Sequence, residues 1–206
     1  MKRKTRNAEK SKQEIIEKAA AVFNQHGYAG TKLEMLIAAT GFQKGGIYCH
    51  FDSKMDLARA VFKHNLDLLR ELYQKDADSS SSPKQQLLGL LHTFKSYIAN
   101  PPVKGGCPFL NLSVEADDTD ETNRLLAKAY LNEWKDQIED ILRHGIASDD
   151  FQSDIDPRQE ALFMMAASEG GAMLGQVKRS VGLMLGIADS LEKYLHLRIF
   201  KKEANP

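Results

Sequence analysis

Hydrophobic side chains recur at steps of three and four residues along most of the chain, which is the period of an α-helix. In the N-terminal third this pattern predicts a helix from Ser11 to Gln25 that stops at Gly27. Two short helices follow over Thr31–Ala39 and Gln43–His50, and a longer helix follows over residues 53–76. The chain therefore begins with a group of closely spaced helices.

The remainder of the chain repeats the helical period and shows no alternation typical of a β-strand. Breaks rich in serine, proline or glycine divide it into segments. The predicted helices are Gln85–Ala99, Pro108–Ala116, Thr122–His144, Pro157–Arg179 and Leu183–Phe200. These elements predict an all-α fold.

Capping signals support several of these boundaries. Ser11 with Glu14, and Thr31 with Glu34, have the spacing of a capping box. Gly145 is predicted to end the helix that precedes it. Asp156 and Pro157 follow as a cap and a first-turn proline.

Two short helices joined by a three-residue turn that contains glycine are the arrangement of a DNA-reading helix-turn-helix. Here the turn is Thr40-Gly41-Phe42, and Gly41 can take the positive φ that lets the second helix leave at a steep angle. We predict that the helix over Gln43–His50 enters the major groove. An ordinary pair of short helices in a helical protein is the alternative that this spacing leaves open.

The candidate DNA contacts fall into two groups. Residues of the second helix would meet base edges and phosphates, and its glycine would let the backbone approach closely: Gln43, Lys44, Gly45, Tyr48 and His50. Around that helix, Thr31 at a helix N-terminus, Lys32 and Lys54 are placed to bind phosphate through backbone N–H, hydroxyl and ammonium groups.

The chain carries 28 basic and 28 acidic residues, but the charge is unevenly divided. Residues 1–75 contain 14 Lys+Arg and 8 Asp+Glu, a net charge of +6, which leaves 14 and 20, or −6, for residues 76–206. A basic N-terminal part attracts a polyanion such as DNA. Residues 1–10 form a basic arm that we expect to be flexible, and that either enters a minor groove or remains a solvated tail; its charges are Lys2, Arg3, Lys4 and Arg6.

The segment from Ile15 to Phe62 resembles the N-terminal DNA-binding domain of the TetR family of transcriptional regulators. The resemblance rests on Phe23, Gly27-Tyr28, Thr31, Gly41, Lys44-Gly45, Ile47-Tyr48, Phe51, Ser53-Lys54 and Leu57. It implies a helix-turn-helix domain over residues 11–52, a connecting helix over 53–77 and a helical ligand-binding and dimerisation domain over 78–206. It also implies DNA contacts by Thr31, Lys32, Lys44, Tyr48, His50 and Lys54.

Cys107 is the candidate sensor residue. It precedes Pro108 at a predicted helix start, with Lys104 nearby, and both a helix N-terminus and a cation favour a thiolate. The segment from Gly105 to Ala116 is similar to the Gly-Cys-led helix of a TetR branch whose members include repressors that respond to electrophiles and oxidants. A small buried packing thiol is the alternative.

Two further groups are predicted in the C-terminal region. Small side chains indicate close approach of another helix, which predicts a homodimer interface or else packing within one subunit, at Ser168, Gly171, Ala172 and Gly175. A ligand pocket is expected among aromatic and sulfur side chains that an ordinary core would also contain, namely Phe94, Tyr97, Phe109, Trp134, Phe163 and Met164.

The sequence predicts no catalytic residues, no metal site and no cofactor, because its six histidines lack paired spacing and no strand precedes its glycine-rich segment. No apolar run approaches the ~18 residues that span a membrane. We expect a cytoplasmic homodimeric repressor that binds a palindromic double-stranded DNA operator and is released by a small-molecule or electrophile inducer. An activator of the same fold, or a helical carrier or enzyme without a DNA role, are the alternatives.

Overall fold

The computed structural model of the protein describes the backbone of residues 2–78 and 82–201, with side chains for residues 8–74 and 82–201. Within these ranges the regular structure is helical, apart from an isolated bridge between Phe151 and Phe200 and a π-helical turn at Leu195–Ile199. No helix there is both long and apolar enough to cross a bilayer. The helices are α1 (Lys2–Gly30), α2 (Leu33–Thr40), α3 (Lys44–Tyr48), α4 (Lys54–Asp78), α5 (Pro83–Ala99), α6 (Pro108–Ala116), α7 (Glu121–Ala147), α8 (Pro157–Lys178) and α9 (Val181–Tyr194). The predicted all-α fold is confirmed.

Helix α1 begins earlier than the sequence pattern predicted. Its backbone is helical from Lys2, whereas we expected a flexible arm over residues 1–10 and a helix start at Ser11. The side chains of residues 2–7, which include the basic ones of the arm, lie outside the described residues. The predicted stop is present as a break at Gly27, whose backbone is non-helical with φ 65° and ψ −179°.

The chain divides into two compact units, each discontinuous in sequence. The N-terminal unit comprises Met1–Leu69 and Val103–Lys128, and the C-terminal unit comprises Arg70–Pro102 and Ala129–Pro206. This division differs from the contiguous one expected from the sequence, because α6 and its flanking residues belong to the N-terminal unit. Because α6 is far from α1 along the chain, the sequence pattern did not predict that the two helices pack together.

Each unit has its own apolar core. In the N-terminal unit, apolar residues at helical spacing on α1, α2, α3 and α4 are nearly inaccessible to solvent: Ile15, Phe23, Leu36, Ile47 and Leu57. In the C-terminal unit, α5, α7, α8 and α9 contribute one buried cluster that includes Leu87, Phe94, Ile138, Leu142, Met164 and Leu191. The cap predicted for α8 is present, since the Asp156 side chain accepts hydrogen bonds from the N–H groups of Arg158 and Gln159.

Gly145 has a different role from the predicted one. Helix α7 continues through it to Ala147, so the predicted helix end at Gly145 was wrong. The carbonyl of Gly145 accepts hydrogen bonds from the N–H groups of Asp150 and Phe151, which turn the chain back over the helix. A Cβ at Gly145 would lie 2.1 Å from Cδ2 of Phe151, so the position is glycine because a phenyl ring occupies the space.

Candidate nucleic-acid interface and effector sites

The turn between α2 and α3 is held by hydrogen bonds within the protein. Gly41 has φ 77°, and its N–H donates to the carbonyl of Ile37 at 2.9 Å. The buried hydroxyl of Thr40 donates to the carbonyl of Leu36 and accepts the N–H of Phe42. These bonds fix the direction in which α3 leaves the turn, as the predicted helix-turn-helix requires.

Helix α3 is shorter than predicted. It spans five residues, because Gln43 has an extended backbone at its start and Cys49 and His50 form a turn after its end. Ile47 is buried and anchors the helix to the core of the N-terminal unit. A single turn of helix therefore carries the candidate base contacts.

We call the exposed side of α3 and its N-cap residue the reading surface, which comprises Gln43, Lys44, Gly45 and Tyr48. A Cβ at Gly45 would meet no atom within 4 Å, so the backbone is open to solvent there. Gly46 faces inward instead, where its Cβ position lies 3.4 Å from the Phe42 ring. The side chains available to a base edge are thus few: an amide, an ammonium group and a phenol.

Thr31 does not have the role that the sequence suggested. Its side chain is 1% exposed, and its hydroxyl donates to the carbonyl of Gly27 at 2.6 Å. The predicted phosphate contact through this hydroxyl is therefore wrong, as is the capping box with Glu34, because Lys32 is the N-cap of α2 and makes no side-chain cap bond. Thr31 closes the end of α1, where the break at Gly27 leaves a carbonyl to be satisfied.

Lys54 binds backbone carbonyls at the end of α1 and near the start of α2. Its ammonium group donates to the carbonyls of Tyr28 at 2.8 Å and Thr31 at 2.9 Å, and lies 4.1 Å from the centroid of the Tyr28 ring. An ammonium group has three N–H donors, so one remains for a phosphate. Lys32 is exposed, and His50 is half-buried in the turn after α3.

The corner before α6 is fastened to α1 by an amide network that sequence reasoning missed. The amide of Asn24 donates to the carbonyls of Lys104 and Gly106, and the amide of Asn111 donates to the backbone and side-chain oxygens of Asn24 and to the carbonyl of Gly105. Gly105 has φ 115°, and a Cβ there would lie 2.9 Å from backbone atoms of Asn24. This close approach accounts for a glycine at the corner.

A second fastening lies at the break in α1. The Glu115 carboxylate accepts the N–H groups of Tyr28 at 2.6 Å and Ala29 at 3.1 Å. A Cβ at Gly27 would lie 2.7 Å from the same carboxylate. The last turn of α6 is therefore bonded to the residues that lead into the helix-turn-helix.

Cys107 is the N-cap residue of α6, with Pro108 at the first helical position as predicted. Its side chain is buried, whereas that of Cys49 is exposed and donates to the carbonyl of Gly46. Among the predicted sensing residues, Cys107 and Phe109 belong to the N-terminal unit, whereas Phe94, Tyr97 and Trp134 belong to the C-terminal unit. The predicted set is therefore divided between the two units.

Carboxylates near the start of α7 form hydrogen bonds and ion pairs with other residues of the protein. Asp120 accepts the N–H of Asn123 and pairs with Arg59 at 3.0 Å, and these contacts hold the pKa of Asp120 below its ordinary value. Glu121 pairs with Arg124. In the described part of the chain, no three His, Cys, Asp or Glu side chains are grouped as metal ligands.

Three of the residues predicted to line a ligand pocket lie around one small cavity of the C-terminal unit. Phe94, Trp134 and Met164 line a small apolar cavity, together with Tyr73, Leu90, Leu91, Ile138, Ser168 and Leu191. The cavity volume is about 20 Å³, which holds no more than one water molecule. Phe163, by contrast, lies on the exposed side of α8.

The small residues of α8 pack within one subunit. A Cβ at Gly175 would lie 2.1 Å from Met184 of α9, and one at Gly171 would lie 3.0 Å from Ile187. Ala172 is buried, and the hydroxyl of Ser168 donates to the carbonyl of Met164. Our assignment of these four residues to a dimer interface was wrong, because their spacing indicates a close approach without identifying the helix that approaches.

Other positions of α8 carry apolar side chains that are exposed to solvent. Residues at three- and four-residue steps from 162 to 177 define this exposed α8 face, which continues into the first residue of α9. Its large members are 42–76% exposed: Leu162, Phe163, Met173, Leu174, Val177 and Val181. Exposed large apolar side chains grouped along one helix are typical of a surface that another molecule covers.

The fixed turn and the exposed reading surface define a helix-turn-helix DNA-binding protein with a second, larger helical unit. Residues 15–61 match the family described as "Bacterial regulatory proteins, tetR family". Residues 83–185 match "Tetracyclin repressor-like, C-terminal domain". The chain therefore belongs to the TetR family of transcriptional regulators, as the sequence resemblance indicated.

The similarity to several known proteins covers most of the chain. The HTH-type transcriptional repressor DhaR of Mycobacterium sp. (strain GP1) is 25% identical over 170 residues, which cover 82% of this chain and 84% of that protein. A TetR regulator from Chloroflexus aurantiacus has a solved structure with 32% identity and a TM-score of 0.90, covering 96% of this chain and 100% of that one. A TetR-family regulator from Cytophaga hutchinsonii gives 30% identity, a TM-score of 0.85, and coverage of 95% and 98%. The protein is a DNA-binding transcriptional regulator.

Proposed function

We propose that the protein is a homodimeric repressor that binds a palindromic double-stranded DNA operator through the reading surface. The observation that carries this proposal is the short helix α3 with its exposed polar side chains. The turn that precedes α3 is held by hydrogen bonds of Thr40 and by Gly41. Two such helices, related by a two-fold axis and about one duplex turn apart, would read two half-sites. Occupation of promoter DNA then represses transcription, and the similarity to a protein named as a repressor supports repression over activation.

The exposed α8 face supplies the proposed dimer contact. It is apolar and exposed, whereas Gly171 and Gly175 of α8 are packed against α9. Burial of such a face against its two-fold copy removes it from water, which is the main source of stability in homodimer interfaces. The proposed interface therefore replaces the small-residue stripe that the sequence suggested.

The operator contact is tested with the variant Lys44→Gln. We expect an affinity loss on the order of tenfold for promoter DNA and a salt slope that is smaller by roughly two, because each subunit loses one phosphate contact. Fluorescence anisotropy at several salt concentrations measures both quantities. Lys128→Gln, which removes an exposed charge from α7, is the matched control and should leave both unchanged. An unchanged slope in Lys44→Gln would contradict the proposed contact.

Release from DNA is proposed to follow either modification of Cys107, which would act through α6, or binding of a small molecule. The thiol is buried at the start of α6, so a bulky adduct there would have to displace its neighbours. Since Asn24, Asn111 and Glu115 fasten α6 to α1, a displaced α6 would pull on the residues that lead into α2. The consequence would be a changed distance between the two reading surfaces of the dimer.

The covalent route is tested in a Cys49→Ser background, because the exposed Cys49 would react beside the reading surface and obscure the result. We expect iodoacetamide to abolish operator binding in that background and to have no effect when Cys107→Ser is added. Mass spectrometry establishes which thiol carries the adduct. Operator binding that survives complete alkylation of Cys107 would contradict the covalent route and leave reversible ligand binding as the means of release.

A further inference from the structure

The C-terminal unit contains an open cleft distinct from the small apolar cavity. Its volume is about 330 Å³. The end of α4 and the middle of α7 line it with mostly polar and aromatic side chains: Arg70, Tyr73, Gln74, Tyr130, Glu133, Trp134 and Gln137. The volume suits a small organic molecule.

Three aromatic rings are grouped in this cleft. The centroid of Trp134 lies 6.1 Å from that of Tyr73 and 6.4 Å from that of Tyr130. The guanidinium carbon of Arg70 lies 5.9 Å from the centroid of Tyr130, within the range of a cation–π contact. The faces of aromatic rings carry negative electrostatic potential, so the group favours a cation.

Glu133 supplies a carboxylate beside these rings. The Nε and Nη2 groups of Arg70 donate to one oxygen of Glu133 at 2.9 and 2.6 Å. The side chains of Arg70 and Glu133 are 34% and 56% exposed, and an ion pair so exposed is weak. Arg70 therefore marks a cation position in the cleft, and its exposed pair with Glu133 is one that a ligand's cation can replace.

We propose that the cleft binds an organic cation with an aromatic or other planar body. The ligand's ammonium group takes the place of Arg70 beside Glu133 and over Tyr130, and its body lies against Tyr73 and Trp134. A carboxylate ligand fits less well, because it would have to displace Glu133 and would face the negative surfaces of the rings. The regulatory part of this inference, that the cation is the inducer, rests on the proposed function.

The neighbouring cavity limits the ligand's size. Tyr73 and Trp134 line both spaces, so these rings stand between the cleft and the apolar interior. At about 20 Å³ the inner cavity is too small for a ring, and the ligand's body stays in the outer cleft. The inferred ligand is therefore a molecule whose cationic group and planar body both lie in the outer cleft of about 330 Å³.

Trp134 is the only tryptophan of the chain, and its fluorescence reports on the cleft directly. We would titrate the full chain with benzyltrimethylammonium and, at the same ionic strength, with phenylacetate as an anion with a similar aromatic body. A saturable change with the cation and none with the anion is expected. Saturable binding of phenylacetate in preference to the cation would overturn the proposal.

Two substitutions with opposite expected effects sharpen the test. Glu133→Gln should weaken cation binding about tenfold, and Arg70→Met should strengthen it several-fold by removing the internal competitor. Glu139→Gln is the control, since Glu139 is a carboxylate of α7 that pairs with Lys135 and Arg143 outside the cleft lining. Cation binding that is unaffected by Glu133→Gln, or weakened by Arg70→Met, would overturn the assignment.

Operator binding is measured separately, by anisotropy with and without saturating benzyltrimethylammonium. Cation binding that lowers operator affinity supports both the cleft and its regulatory role. Cation binding with unchanged operator affinity overturns the regulatory role, and operator binding without any cation binding overturns the cleft assignment. A chain that binds the cation but no operator refutes the proposed function and supports the cleft.

Discussion

A Leu174→Arg substitution should give a folded monomer whose operator affinity is at least about a hundredfold lower. Leu174 is 47% exposed in the isolated chain and lies in the exposed α8 face. A guanidinium group there would have to be desolvated against an apolar copy of itself in the dimer, at a cost of several kcal/mol. Loss of the dimer removes the second reading surface and its effective concentration at the neighbouring half-site, which accounts for a large loss of affinity.

Sedimentation equilibrium and operator anisotropy measure the two consequences, and far-ultraviolet circular dichroism checks that the variant is folded. Leu125→Arg, on α7, is the control, because Leu125 is 50% exposed and lies outside that face. We expect the control to remain dimeric and to bind DNA normally. A dimeric Leu174→Arg protein would mean that another surface forms the dimer.

The helix-turn-helix could be predicted because its determinants are local. The apolar spacing that buries Leu36 and Ile47, and a positive φ at Gly41, depend on residues within a few positions of each other. The same local rules placed the proline and cap at the start of α8. They failed at Thr31, because the break at Gly27 presents a carbonyl that competes for its hydroxyl.

Contacts between distant segments could not be predicted. Nothing in the sequence associates Glu115 with the amides of Tyr28 and Ala29, or Asn111 with Asn24, since 86 or more residues separate each pair. The partner helix of the small residues around Gly175 on α8 could not be predicted either. Small side chains at helical spacing indicate that a helix approaches closely, but the approaching helix is α9 of the same subunit.

Gly145→Ala should clearly lower the stability of the folded protein. The new methyl group would overlap the ring of Phe151, which is fully buried and packs on Phe200 with a centroid distance of 5.3 Å. Backbone hydrogen bonds from residues 150 and 151 to Gly145 hold that ring in place. We expect a loss of about 2–3 kcal/mol in the free energy of unfolding, and a melting temperature lower by roughly 5–10 °C at constant protein concentration.

Differential scanning calorimetry measures this change, and Gly182→Ala is the control, because the nearest atom to its Cβ position is 3.9 Å away. The steric cause is tested by adding Phe151→Leu. If the clash is responsible, Phe151→Leu costs clearly less stability in the Gly145→Ala background than alone, because the smaller side chain makes room for the methyl group. Additive effects of the two substitutions would show that alanine acts through the helix backbone at residue 145, and that the phenyl ring does not determine the glycine.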